Sequence, residues 1–271
     1  MNDFRYGFTR QEKDGVQYFT IPSFVQAGGV RCAFSTRIGG VSPQPYDTLN
    51  FSRKREQNEA NFQENMRRFS AAVGFDHTTA VSIHYAHSPL LYRAELKDAG
   101  CGIVREGLAD FCDGLYTDAE QLPILSFHAD CVPLFFYDPD ACVIAMCHAG
   151  WRGTSQHMAR NAVEALVSIG ARPGNILAAV GPCISVSHYE VGPEVAEVFL
   201  HEFGENAVLR QDGSFYANLE AACSLDMLQS GIAAEHITLS GLCTYENAGL
   251  FYSHRRDKGL TGAMAAVLEL I

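Results

Sequence analysis

The sequence predicts an α+β fold in which mixed β-sheets pack with flanking helices, as a single domain over residues 1–271. Three observations predict it. Apolar runs of strand length follow one another between residues 122 and 149 in hairpin-like succession, not as regular strand–helix–strand units. Helical spacing of apolar residues appears in separate stretches on either side of them. The chain is 47% hydrophobic over 271 residues, which allows a large core, and no repeat, low-complexity tract or linker divides it.

The elements follow in order. Residues 16–26 (VQYFTIPSFVQ) read as an edge strand and residues 30–36 as another. The segment from Arg37 to Pro43 holds Gly39 and Gly40 and is too glycine-rich to continue it. Between residues 56 and 73, Phe62, Met66, Phe69 and Val73 recur at helical spacing, with Gly74 as the stop. Residues 78–92 read as a strand, a kink and a second apolar stretch. Residues 98–113 form a loop or hairpin, and Asp113-Gly114 is a turn signal. Three apolar runs come next, the third breaking at His148. A glycine-punctuated turn (residues 149–153) leads to a helix opening at Thr154 or Ser155, carrying Met158, Ala162, Leu166 and Ile169 and ending at Gly170. Residues 176–180 form a short buried strand. Pro193 suits the first turn of a helix with Val195, Val198, Phe199 and Phe203. Another helix covers about residues 218–229. Strands at 236–243 and 264–271 flank the basic turn 253–257.

Composition narrows the class. A net charge of −11 argues against a nucleic-acid footprint and against a basic membrane-surface patch. Residues 1–20 lack the apolar core of a signal peptide, and no apolar run has the roughly 18 residues of a membrane span. The nine cysteines include no Cys-x-x-Cys pair, which fits a reduced protein with buried thiols. A cytoplasmic enzyme without nucleic-acid or membrane partners is expected. Neither the dinucleotide-binding glycine pattern nor the P-loop pattern occurs.

Cys131 follows one apolar run and His148 ends another. If neighbouring strands bring them together, a thiolate and an imidazole meet beside a helix N-terminus. With one of His84, His87 or His128 they make three N/S donors, the open arrangement of a catalytic zinc. His84 and His87 differ by three and so face opposite ways on a regular strand. Asp130 is either an acid–base or outer-sphere carboxylate or a turn residue. Arg37 with Gly39 and Gly40 is either an anion loop or a surface turn.

Taken together, Ser35-Thr36-Arg37-Ile38-Gly39-Gly40-Val41-Ser42, Ala129-Asp130-Cys131-Val132-Pro133, His148-Ala149-Gly150-Trp151-Arg152-Gly153, Gly181-Pro182-Cys183-Ile184 and Ser253-His254-Arg255-Arg256-Asp257 resemble the laccase-domain family. That family was named for multicopper polyphenol oxidases and includes purine nucleoside phosphorylases and peptidoglycan editing factors. The resemblance implies a single α+β domain and a zinc held by His87, Cys131 and His148, with copper as the alternative ion. It implies phosphorolysis of adenosine, inosine and methylthioadenosine, with adenosine deamination as a second activity, on a purine nucleoside and phosphate. Arg37, Gly39 and Gly40, and the helix start after Arg152 and Gly153, are then the phosphate candidates. Cys131, Asp130 and Arg37 are the catalytic candidates, with Asp113 or a histidine as further proton carriers. Two departures stand out. The family has Gln-Val-His-Gly where this chain has Tyr85-Ala86-His87-Ser88, which leaves His84 as a rival ligand. It has Gly-Arg where this chain has Gly262-Ala263, a gap for Arg255 or Arg256 to fill.

Other classes make distinct expectations. A multicopper oxidase needs clustered histidine pairs, and the ten histidines here include no His-x-His. A metal-free cysteine hydrolase acting on peptidoglycan-type amides would use Cys131 as nucleophile and His148 as base.

Overall fold

Strands that are apolar at every position need cover on both faces, and this chain supplies it by stacking four layers. The computed structural model describes residues 4–83, 85–108 and 112–271, so His84 lies outside the described residues. The chain opens with β1 (Arg5–Tyr6), β2 (Thr9–Lys13) and β3 (Val16–Thr20), then α1 (Pro22–Ala27) and β4 (Val30–Ser35). Next come α2 (Arg53–Glu56), α3 (Glu59–Val73), β5 (Val81–Ser82), β6 (Leu91–Arg93) and β7 (Gly114–Thr117). The central run is β8 (Ile124–His128), β9 (Val132–Asp138) and β10 (Val143–Ala149), followed by α4 (Trp151–Ser155), α5 (Met158–Ser168) and β11 (Leu177–Val180). The remainder is β12 (Glu190–Val191), α6 (Pro193–Phe203), β13 (Val208–Gln211), β14 (Ser214–Ala217), α7 (Leu219–Gln229), β15 (Ile237–Leu239) and β16 (Met264–Leu270).

Among the described residues the strands form a seven-stranded sheet (β1-β15-β11-β9-β10-β7-β6), a six-stranded sheet (β2-β3-β4-β16-β8-β5) and a small one (β12-β14-β13). Both large sheets mix parallel and antiparallel pairs, as expected for α+β. Alternation along β9 and β10 explains the layers. Val132, Leu134, Phe136, Val143, Ala145 and Cys147 pack against residues of α5, α6 and α7. Phe135, Tyr137, Ile144 and Met146 point the other way, onto Phe34, Ile124, Met264 and Leu268 of the six-stranded sheet. That sheet's outer face (Ala33, Leu125, Ala265, Val267) is covered by Phe62, Met66 and Phe69 of α3. A sheet buried on both sides reads as continuous apolar sequence, which is why its strands show no polar alternation.

Several expected boundaries move. The strand expected over 16–26 stops at Thr20, because Pro22 opens α1 and sends Phe24 fully into the core. The helix expected from Thr154 begins earlier, at Trp151, and breaks at His157, whose φ of 59° cannot continue it. The stretch expected as a strand over 236–243 keeps only Ile237–Leu239. In α3, Asn58 caps the N-terminus by accepting from the Asn61 amide, and Gly74 at φ 99° ends it.

Candidate functional site

The site lies where the layer between the two large sheets reaches the end of β8 and β10. His128 and His148 are the last inward-facing side chains of these strands, and their rings stack 4.8 Å apart. His148 Nδ1 donates to the Phe127 carbonyl at 2.9 Å, since a carbonyl only accepts, so its Nε2 carries the free lone pair. His128 Nδ1 likewise donates to the Cys131 carbonyl, and its Nε2 accepts from the Ser126 hydroxyl at 2.6 Å. Burial keeps both rings neutral. It pushes His148 down to about 4, with nearby His87 lowering it further against Asp113 and the Phe127 carbonyl; it holds His128 well below the usual histidine range.

The register of β9 and β10 delivers Cys131. Ala149 pairs with Val132, so the residues one step beyond each, Gly150 and Cys131, face one another. A Cβ on Gly150 would stand only 3.0 Å from the Cys131 sulfur. Burial first, then Asp130 and Asp113, pushes the Cys131 thiol up to about 12. His87 sits on an exposed turn at φ 56°. Asp113 holds that turn: its Oδ1 accepts from the Ala86 and Ser88 amides at 2.8 and 3.1 Å, while its carbonyl accepts from the His148 amide. Asp113 therefore positions His87 against β10.

In kind, His87, Cys131 and His148 fit a borderline divalent ion: a thiol, and an imidazole whose other nitrogen is fixed by a backbone carbonyl. Among the described residues no three His, Cys, Asp or Glu side chains form a group that could hold an ion as they stand, although His87 is near enough to His148 to act on its charge.

His148 opens into a cavity of about 610 Å³ walled by Phe51, Phe62, Ile83, Tyr85 and Phe127. The Phe51 and Phe127 rings lie near-parallel at 6.2 Å. Tyr85 stacks on His148 at 4.4 Å and its oxygen accepts from the Phe127 amide. Arg53, Lys54, Arg55 and His254 complete the lining.

The other candidates fall elsewhere. The guanidinium of Arg37 is engaged by the carbonyl and carboxylate of Asp47 and by Ala248, and lies over the Tyr252 ring. The Gly39 and Gly40 amides both donate to the Thr48 hydroxyl. A side chain at Gly39 would strike the Gly15 backbone, and one at Gly40 the Thr48 backbone. These glycines therefore serve close backbone packing and leave no open anion loop. Arg152 is exposed over the Trp151 ring and Gly153 is buried; neither lines the His148 cavity. Arg255 reaches the Glu190 carbonyl and faces a separate depression beside Gly213–Phe215. Arg256 is consumed by Asp257 and three backbone carbonyls. Neither fills the gap at Ala263; the cations sharing a cavity with Ala263 come from α2. Asp130, at φ 88° and 6% exposed, accepts from Thr244, Ser253 and the Arg255 amide, which makes it a clamp. Sequence reasoning gave no role to the Arg53-Lys54-Arg55 trio, whose signal was three adjacent cations in an acidic chain.

Comparison with known proteins adds to this geometry. The family described as multi-copper polyphenol oxidoreductase laccase matches residues 31–271. A purine nucleoside phosphorylase of Deinococcus radiodurans is 37% identical over 238 residues, covering 88% of this chain and 88% of that protein. The purine nucleoside phosphorylase YfiH of Escherichia coli is 34% identical over 253 residues, covering 93% and 98%. The crystal structure of YlmD from Geobacillus stearothermophilus superposes with a TM-score of 0.89 at 29% identity, over 97% of this chain and 98% of that one.

Proposed function

The chain belongs to the multi-copper polyphenol oxidoreductase laccase family, and from that premise we propose that it is a zinc-dependent purine nucleoside phosphorylase. Its substrates are adenosine, inosine and methylthioadenosine, with adenosine deamination as a second activity, in the cytoplasm. The observation that carries the reading is the aromatic-walled cavity of about 610 Å³ that ends on His148. Its volume suits a nucleoside, and the part-exposed rings of Tyr85 and Phe127 in its lining suit a purine ring. Relatives named purine nucleoside phosphorylase that align over most of this chain support the same substrate class. Among the described residues no helix is long and apolar enough to cross a membrane.

His87, Cys131 and His148 would hold the ion. Such an ion, when bound, would act as a Lewis acid and lower the pKa of a bound water to about 7. The chain's own residues do the rest. The aromatic wall takes the base and excludes water, Tyr85 and the Phe127 carbonyl fix the His148 ring, and Asp113 and Asp130 hold the loops that carry His87 and Cys131.

The metal-free hydrolase reading fares worse, because a thiol at about 12 is a poor nucleophile and His148 gives its proton to a carbonyl, not to Cys131. The oxidase in the family's description needs many histidines in one place. Here His157 is bound to Asp226 and Glu202, and His188 to Glu246, away from His148.

The test is elemental analysis of the purified protein together with adenosine turnover with and without phosphate. We expect about one zinc per chain and phosphate-dependent release of adenine, both lost in Cys131→Ala and His148→Ala. Full turnover by Cys131→Ala would overturn the reading.

A further inference from the structure

Lys54, Arg55 and His254 line the same cavity as His148. All three are exposed, and among the described residues none makes an ion pair or a side-chain hydrogen bond. Other cations of the region are neutralised: Arg53 by Glu59, Arg256 by Asp257. The adjacent carboxylates are spent as well. Glu56 accepts from Ser42, Asn50 and Asn61, and Asp257 from Arg256 and Thr261.

Arg55 and His254 converge from distant segments on one point. A Cβ on Gly259 would lie 3.6 Å from Arg55 Nη1 and 3.6 Å from His254 Nε2; Gly259, at φ 85°, puts nothing there. In a chain of net charge −11, two unpaired cations, Lys54 and Arg55, lining a largely apolar cavity set a local positive field there, with the His254 imidazole as a further polar group. The fork of an arginine and the point charge of a lysine match the oxygens of a dianion.

We propose that Lys54, Arg55 and His254 form a subsite for a phosphate group, set beside the aromatic wall that receives the base. The assignment rests on the nucleoside reading of the cavity. The phosphate comes either as inorganic phosphate, the second reactant of phosphorolysis, or as the 5′-phosphate of a nucleotide.

The full-length protein as purified, a Lys54→Ala/Arg55→Ala double variant and an Arg210→Ala control on β13 are titrated calorimetrically with inorganic phosphate and with adenosine monophosphate. Loss of a charge-assisted hydrogen bond weakens binding roughly tenfold to a hundredfold. We expect at least tenfold weaker binding of one or both probes in the double variant, and unchanged binding in Arg210→Ala. Weakening of inorganic phosphate, with a raised KM for phosphate and an unchanged KM for adenosine, identifies the second reactant; weakening of adenosine monophosphate alone identifies a nucleotide. Wild-type affinity for both probes in the double variant, or binding of neither by the wild type, overturns the subsite. A wild type that binds phosphate but performs no phosphorolysis refutes the enzymatic reading and leaves the subsite standing.

Discussion

Replacing Asp130 separates a structural clamp from a proton carrier. Its carboxylate accepts from Thr244 Oγ1 at 2.6 Å, Ser253 Oγ at 3.0 Å and the Arg255 amide at 2.7 Å, joining the Cys131 loop to two distant segments. In Asp130→Ala the two hydroxyls can turn elsewhere; Ser253 Oγ already accepts from the Arg256 amide. The Arg255 amide has no such freedom, and a part-buried donor left without its partner costs about 1 kcal/mol. Weakened hydroxyl bonds add about 1 kcal/mol, and alanine at a φ of 88° about 1 kcal/mol more. The expected loss is about 3 kcal/mol. Asparagine tolerates the backbone angle and keeps one acceptor, so Asp130→Asn should lose about 2 kcal/mol. Urea denaturation at pH 7, with equal m-values, measures both. Turnover by Asp130→Asn should stay within about tenfold of wild type, whereas removing a general acid or base costs roughly 100-fold or more. An asparagine variant within about 0.5 kcal/mol of wild-type stability but without activity would refute the clamp.

Two further outcomes follow from the buried groups. After metal removal at pH 7, Cys131, at about 12, should react with iodoacetamide roughly a thousandfold more slowly than an ordinary thiol, while the exposed Cys142 reacts first; mass spectrometry of the labelled protein checks the order, and early labelling of Cys131 contradicts it. His148 has a folded-state value depressed to about 4, so the unfolded chain binds the extra proton: its stabilisation is complete above about pH 6.5 and drains away as pH falls toward 4, about 3 kcal/mol in all. Metal-free protein should therefore lose more stability between pH 7 and 4.5 than metal-free His148→Gln does, and parallel curves for the two would disprove it.

Much of this was legible in the chain. The apolar runs of β9 and β10 were readable as neighbouring strands, and their register sets Cys131, one step before Val132, opposite Gly150, two residues beyond His148. The last strand and the helix after Glu59 were equally readable, since each buries a face against a full layer. What escaped is exposed. β2 reads TRQEK and β13 carries Leu209, Arg210 and Gln211 in solvent, so neither shows alternation, although Asp212-Gly213 was a usable turn signal. Site errors had another cause. Glycines beside an arginine suggest an anion loop, but Thr48 takes both glycine amides and Asn65 takes that of Val41, and only tertiary structure reveals that. The reverse holds for Lys54 and Arg55, ordinary surface residues until folding sets them beside His254.

The position of β16 also constrains how the molecule is made. Residues 264–270 wedge between β4 and β8, strands that precede them by most and by about half of the polypeptide. A growing chain must hold that slot open, with two rows of unanswered amides and carbonyls facing each other across it. During that interval any extended foreign segment competes for the gap, and the pairing of β16 is what closes it.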